Sequence, residues 1–279
     1  MIKPYYFRLV IKHWILVKGC IRKVTRDNFI GKTKITEKHT SLKGYIFMKI
    51  AVVTPYYKES IEILKKCHES VLAQTYEVSH VMVADGHYKP EIDEWDIEHV
   101  ILPKAHHDNG STPRLIGSYH AIGLEYDAIA YLDADNWFDS GHIENLVRLH
   151  ETTNALFLSS SRVLCRIDGS IMGDCEQTDP DKFIDTSCMM FVKGSFNILD
   201  TWGLMPKYIQ PLCDRVVFQA VKKSGVKRAH SEKKTMFFRC VKAGIYMSMG
   251  EVIPEGVLDK PDYKSMHKRW LDEGNAPIL

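Results

Sequence analysis

The run Ala128-Ile129-Ala130-Tyr131-Leu132 leaves this chain the least conformational freedom. Five apolar residues in succession are too few for a helix and suit a strand buried on both faces. The run stops at Asp133-Ala134-Asp135-Asn136, followed by Trp137 and Phe138. Open α/β sheets gather their ligands at the carboxyl edge, so Asp133 and Asp135 are expected there. Two neighbouring carboxylates repel each other unless a positive charge lies between them. Mg²⁺ or Mn²⁺ prefers such oxygen ligands, and a diphosphate usually completes the set. Asp and Asn are also common turn residues, so the triplet taken alone favours a plain turn, and the rest of the chain reverses that.

Two earlier runs have the same form. Residues 50–54 are apolar up to Thr54 and are closed by Pro55, with Tyr56, Tyr57, Lys58 and Glu59 forming a loop. Ser60 then caps a helix running to about Gln74, with Ile61, Leu64, Cys67, Val71 and Leu72 on its inner face. Residues 80–84 form the next strand, ending in Asp85-Gly86. Strand, helix and strand at this length make a βαβ unit, so the sheet is mostly parallel here. A short strand at 97–102 follows, then a polar loop with adjacent His106 and His107, which invite a metal reading although sequence neighbours rarely face one ion. Ser111 or Thr112 caps a helix with Pro113 at its first position. Arg114 then lies in the first turn, where helix N-termini already favour anions. Gly117 would let this helix approach a neighbour closely.

Beyond Asp135, Asp139 or Ser140 caps a helix over 141–151, and residues 155–161 form a strand that 162–167 extends or pairs beside. Asp168-Gly169 signals a hairpin, residues 173–181 a polar loop, and residues 186–192 a further strand. Asp214 opens a helix over 215–223 whose Val216, Val217, Ala220 and Val221 make one stripe, and Gly225 ends it. His230 falls in a polar segment, 229–234. An apolar stretch, 237–249, precedes a polar tail containing Trp270.

The chain's 279 residues, 45% apolar and 26% charged, suffice for one large α/β domain. The net charge of +2 is unevenly spread. Residues 1–48 hold 11 Lys and Arg against Asp27 and Glu37, a balance of +9, and the remainder carries −7. An acidic body does not suit a nucleic-acid binder. The seven cysteines are scattered without a CxxC pair, which fits a reducing compartment and argues against a disulfide framework. No apolar run reaches the length of a membrane span or a signal peptide, so a cytoplasmic location is expected. Residues 5–14 mix aromatic with basic side chains, as interfacial membrane helices do. Residues 1–47 therefore read either as a peripheral basic anchor at the inner face of a membrane or as sequence upstream of a natural start at Met48. The second reading is favoured, and in both these residues are expected to be poorly ordered.

A strand ending in Thr54-Pro55-Tyr56-Tyr57, a second ending in Ala84-Asp85-Gly86, a third ending in Asp133-Ala134-Asp135-Asn136, and Arg114 in the helix before the last together resemble the inverting nucleotide-sugar glycosyltransferases of family two. The resemblance covers about residues 48–249. It implies the GT-A fold: a single large α/β domain, with a mostly parallel, Rossmann-like central sheet flanked by helices. Residues 48–138 would form the nucleotide-binding half, 139–250 the acceptor half and 251–279 a C-terminal tail. It further implies that Thr54, Pro55, Tyr56, Glu59 and Asp85 hold base and ribose, and that Arg114 contacts the nucleotide or diphosphate. Asp133 would contact ribose or metal-bound water, Asp135 would ligate Mg²⁺ or Mn²⁺, and His230 is the late histidine near the metal. Asp214 would be the general base. Cys213 precedes it where the family often has a second acid, and Asp185 is the alternative base. The implied activity is metal-dependent transfer of a sugar, most simply from a UDP-sugar, to a glycan or lipid-linked hydroxyl, in a setting such as polysaccharide synthesis. Acceptor recognition is expected in residues 168–185 and 202–211. Two other readings stand beside it. A sugar-phosphate nucleotidyltransferase would want a glycine-rich loop after the first strand, which residues 54–60 lack. A nucleotide-sugar-binding protein without catalysis has only Cys213 in its favour.

Overall fold

The computed structural model describes residues 47–175, 179–259 and 261–279, and of the first 46 residues the backbone of two strands. Packing divides the chain into two units, Met1–Phe47 and Met48–Leu279. In the first, β1 (Trp14–Val17) and β2 (Cys20–Lys23) pair antiparallel, Trp14 opposite Lys23 and Val17 opposite Cys20. The interfacial character expected for residues 5–14 lies outside the described residues except at Trp14, which is in a strand.

The second unit is built on a nine-stranded sheet. Its strands are β3 (Ile50–Tyr56), β4 (Ser79–Asp85), β5 (Glu98–Leu102), β6 (Ala128–Tyr131), β7 (Trp137–Phe138), β8 (Phe157–Cys165), β9 (Ile171–Asp174), β10 (Met189–Val192) and β11 (Arg228–Arg239). They lie in the order β5-β4-β3-β6-β10-β8-β11-β7, with β9 paired to β8. β5, β4, β3 and β6 are parallel. β10 runs against both β6 and β8, and β11 is parallel to β8. This is the mixed, mostly parallel α/β architecture that the apolar runs imply.

The helices are α1 (Ile61–Leu72), α2 (Ser111–Gly123), α3 (His142–Thr153), α4 (Thr201–Leu204), α5 (Cys213–Ser224), α6 (Ala243–Ser248) and α7 (Tyr263–Asp272). α1 and α2 cover opposite faces of β3, because successive strand residues point to opposite sides. Thr54 Oγ1 meets Cys67 Sγ of α1 at 4.0 Å, whereas Val53 faces α2. At Gly117 of α2 an added Cβ would sit 2.7 Å from Val53 Cγ1 and 2.8 Å from Val83 Cγ2, so the helix backbone lies directly on the sheet. β3 and β6 are buried along their whole length, which explains their unbroken apolar sequence.

Several local expectations change. Strand β3 continues through Pro55 to Tyr56. The α2 cap is supplied by Asp108, which accepts from the Thr112 N–H at 3.0 Å and from its hydroxyl. Gly110, at φ +79°, takes the cap position itself. Asp168-Gly169 does close a hairpin, joining β8 and β9, so residues 171–174 are strand. The polar segment 229–234 is also strand, because β11 runs through it beside β8 with two register shifts. Residues 251–279 pack on the body: Tyr263, Met266 and Trp270 lie against the main core and Ile278 is buried. Among the described residues no helix is long and apolar enough to cross a membrane.

Candidate active site

The carboxyl ends of β3, β4 and β6 open onto a cavity of about 450 Å³. Pro55, Tyr56, Glu59, Asp85, Arg114, Asp133 and Asp135 all line it, so seven residues singled out from sequence converge on one place. Thr54 does not join them. It is fully buried, and its hydroxyl bonds His80 Nε2 at 2.9 Å while His80 Nδ1 meets His68 Nδ1 at 2.9 Å. Burial lowers the His80 pKa well below its ordinary value, so this is a neutral packing network beneath the site. Tyr56 reaches the cavity wall, but its ring is buried. Its hydroxyl bonds His99 Nε2 at 2.9 Å and accepts from the Lys89 N–H at 3.3 Å. The aromatic side chain that lines the cavity without such ties is Tyr57, set edge-on against His87 with ring centres 4.3 Å apart and against His107 at 5.7 Å. Glu59 closes the loop by accepting from the Tyr57 N–H at 2.7 Å.

Asp85 is held by His106, whose N–H lies 3.1 Å and whose Nδ1 lies 2.6 Å from one carboxylate oxygen. His106 therefore orients the loop before α2, and the adjacent histidines do not form a metal pair. Arg114 is buried in the first full turn of α2. It donates through Nη1 to the Asn109 carbonyl at 2.7 Å and through Nη2 to Asp133. Its Nε has no hydrogen-bond partner among the described residues. The Asp133 N–H donates to Ser187 Oγ at 3.0 Å, and the Asn136 amide donates to the same oxygen at 3.1 Å. The Asn136 carbonyl oxygen accepts from the Arg239 N–H at 2.9 Å. The Asp133–Asn136 turn is thereby fixed to the elements on both sides. Burial, then the Asp133 and Glu59 charges, push the Asp135 carboxyl up to about 7, with Arg239 pulling the other way. The neighbouring Asp133 and Glu59 charges, unlike the burial, would favour a cation beside Asp135.

A second cavity, about 940 Å³, adjoins the first and shares Asn109, Arg114 and Asp133 with it. It holds both acids considered as bases. Asp185 is buried, pairs with Arg162, and accepts from the Ser187 N–H at 3.0 Å. Burial raises its pKa while Arg162 opposes the rise. Asp214, in the first turn of α5, accepts among the described residues only from the Arg215 N–H, at 2.7 Å. Burial, then repulsion from Asp185, push it up to about 6. Cys213 is buried and its thiol is driven up to about 12, so it cannot serve as a second acid. Of the two segments expected to recognise an acceptor, Cys175, Phe183, Asp185 and Pro211 line the cavity, while Trp202 is buried in the core. Phe238, Lys242, Ile245, Met249, Tyr263 and Lys264 complete the lining, the last two from the segment read as a tail.

His230 is a correction. It sits near the start of β11 opposite Ser159, three residues before the cavity residue Arg162, roughly 10 Å along the strand. Its ring nitrogens bond Ser159 Oγ at 2.9 Å and Ser161 Oγ at 3.2 Å, and burial lowers its pKa. By register it is level with Tyr131 but three strands away from β6, and it lines neither cavity. Among the described residues no group of three or more His, Cys, Asp or Glu side chains could hold a metal by itself. The Asp133/Asp135 pair still fits a hard divalent ion that takes one or two carboxylates and completes its shell from phosphate and water.

The family model "Glycosyl transferase family 2" matches residues 51–209, more than half of the chain. No curated protein matches the sequence significantly. Among solved structures, S. aureus TarS residues 1–349 superposes with a TM-score of 0.54 at 12% identity, over 69% of this chain and 61% of that one. The same TarS fragment in complex with UDP gives 0.54 at 12% identity, over 72% and 63%. Its complex with UDP-GlcNAc gives 0.58 at 11% identity, over 83% and 68%. The chain thus spans about three fifths of the length of the first of these. At such identity the likeness shows the fold, and the sequence match shows the family: this chain is a glycosyltransferase of family 2.

Proposed function

We propose that the protein transfers a sugar from a UDP-sugar to an acceptor hydroxyl with inversion, the smaller cavity holding the donor and the larger the acceptor. The observation that carries this is the meeting of the two cavities at Arg114 and Asp133, with Asp135 on one side and Asp214 on the other. TarS, solved with UDP and with UDP-GlcNAc, supports uridine as the base and makes UDP-GlcNAc the first donor to test.

In this reading Tyr57 and Pro55 face the base, and Asp85, fixed by His106, closes the ribose end. Arg114 draws the diphosphate to the α2 N-terminus, where its buried Nε has a bond left to donate. Asp135, with Asp133, would hold Mg²⁺ or Mn²⁺, which when bound neutralises charge on the departing diphosphate. Asp214 takes the proton of the acceptor hydroxyl as its oxygen attacks the anomeric carbon and the bond to the diphosphate breaks on the opposite face. Asp214 suits this better than Asp185, whose carboxylate is committed to Arg162. A base must be ionised yet proton-hungry, and a carboxylate raised to about 6 is both at neutral pH.

The test is turnover of UDP-GlcNAc by wild type and Asp214→Asn, with water as acceptor when none is supplied. We expect turnover to fall about 100-fold or more, the usual scale of a lost general base, with UDP affinity within about twofold of wild type. Unchanged turnover would remove Asp214 from the mechanism.

A further inference from the structure

Resting on the reading of the larger cavity as the acceptor site, we propose that the acceptor is anionic, carrying a phosphate or carboxylate close to the hydroxyl that is glycosylated. The argument starts from the charged side chains of that cavity. Asp133 is paired with Arg114, and Asp185 with Arg162. Asp262 is turned onto the start of α7, accepting from the Ser265 N–H at 3.1 Å and its hydroxyl at 2.6 Å. That leaves three cations, Arg215, Lys242 and Lys264, lining the same space. Among the described residues none of the three makes an ion pair with any carboxylate, the main-chain carboxylate of Leu279 included.

Lys264 is exposed, but the other two are not in the positions of ordinary surface cations. Lys242 is half-buried where β11 gives way to α6, with Tyr263 beneath it, its Nζ 5.9 Å from the ring centre. Arg215 is half-buried, its guanidinium 4.6 Å from the Phe183 ring centre, and it reaches only the Ile278 carbonyl at 3.4 Å. Lys242 and Arg215 lie in the field of Asp214 but make no direct ion pair with it, and a half-buried cation without a direct partner favours an anion that completes it. Asp214 is the carboxylate that the site must keep free for chemistry. Cations around it favour its ionised form when the site is empty, and an acceptor anion would take them over as the acceptor seats. Phe183, Phe238 and Tyr263 line the same cavity and offer apolar faces for a sugar ring. A ring with an attached anionic group thus matches both halves of the lining.

Phosphate and carboxylate share this chemistry, and matched probes separate them. Glucose, glucuronate and glucose 6-phosphate have the same ring and differ in the anionic group. Binding of each is measured by NMR titration on the free protein and on protein saturated with UDP, for wild type, Lys242→Met and Lys264→Gln. The account expects at least one anionic probe to bind tenfold or more tightly than glucose, with the preference reduced at least fivefold in Lys242→Met and weakened by added salt. Whichever anionic probe binds more tightly names the group. Equal affinity for the three sugars would overturn the proposal. So would a preference that both variants retain. A UDP titration on the same samples shows that the variants are folded and separates a third result. If the two variants weaken UDP tenfold or more, the cations serve the donor diphosphate and the anionic acceptor is refuted. A wild type that does not bind UDP at all would count against the donor reading, and the sugar comparison on free protein would still decide this one.

Discussion

At the scale of single residues, the site separates side chains that sequence spacing groups together. Thr54 and Tyr56 are two apart at the end of β3 and so share a face, while Tyr57 is the first residue beyond the strand. Thr54 bonds His80 beneath the sheet and Tyr56 bonds His99, which leaves Tyr57 facing the cavity. That this stretch reaches the cavity at the sheet's carboxyl edge was legible in the sequence. Which tyrosine does so depended on how far β3 continued past Pro55, and local sequence does not decide that. Tyr57→Ala should weaken UDP binding by roughly tenfold, the scale of losing a base–aromatic stack. Tyr56→Phe should leave UDP binding within about twofold while lowering stability by about 1 kcal/mol, the value of one buried hydrogen bond. Calorimetry and urea unfolding of the two variants read these effects separately, and the reverse pattern would assign the base to Tyr56.

At the scale of elements, the βαβ segments were legible because burial on two faces forces unbroken apolar runs, as in β3, β4 and β6. β11 was hidden for the converse reason. Its first half is half-buried or exposed and reads polar, so only pairing with β8 makes it strand, and with that pairing His230 leaves the site. The α2 cap was hidden because Asp108 reaches over Gly110, a contact set by the left-handed turn there. Gly117 is the clearest test of how α2 is seated. A Cβ there would meet both Val53 and Val83 at under 3 Å, so Gly117→Ala must push helix and sheet apart. The expected cost is about 1–3 kcal/mol, against a gain of about 1 kcal/mol had the position been open. Thermal unfolding shows which holds, and because α2 carries Arg114, UDP affinity should fall with it.

At the scale of the whole molecule, the proposed donor and acceptor cavities divide between the parallel half of the sheet and the half that contains β10, β8 and β11. The donor half was the more legible, since its residues sit within a few positions of strand ends. The acceptor half draws on residues far apart in sequence, from Arg162 to Lys264, and no local pattern announces that Lys242 and Tyr263 face Asp214. Two acids in that half are raised by burial, and this has a consequence for global stability. Asp214 has a folded pKa of about 6 against an ordinary value of 3.8. Its stabilising contribution is therefore fully present below about pH 4 and is lost as pH rises through 6. Asp214→Asn should then gain stability relative to wild type between pH 5 and 7.5, a difference that denaturant unfolding at the two pH values can read. Turnover by wild type should rise with pH over the same window, as the base ionises.

The measurement that bears most directly on the central claim is calorimetric titration with UDP and with GDP, each with and without Mn²⁺, on wild type and Asp135→Ala. A donor site built from Arg114, Asp133 and Asp135 predicts UDP binding that is strengthened by Mn²⁺ and loses that strengthening in the variant. Absence of binding by either nucleotide under every condition would contradict the account, returning Asp133 and Asp135 to the role of a buried turn.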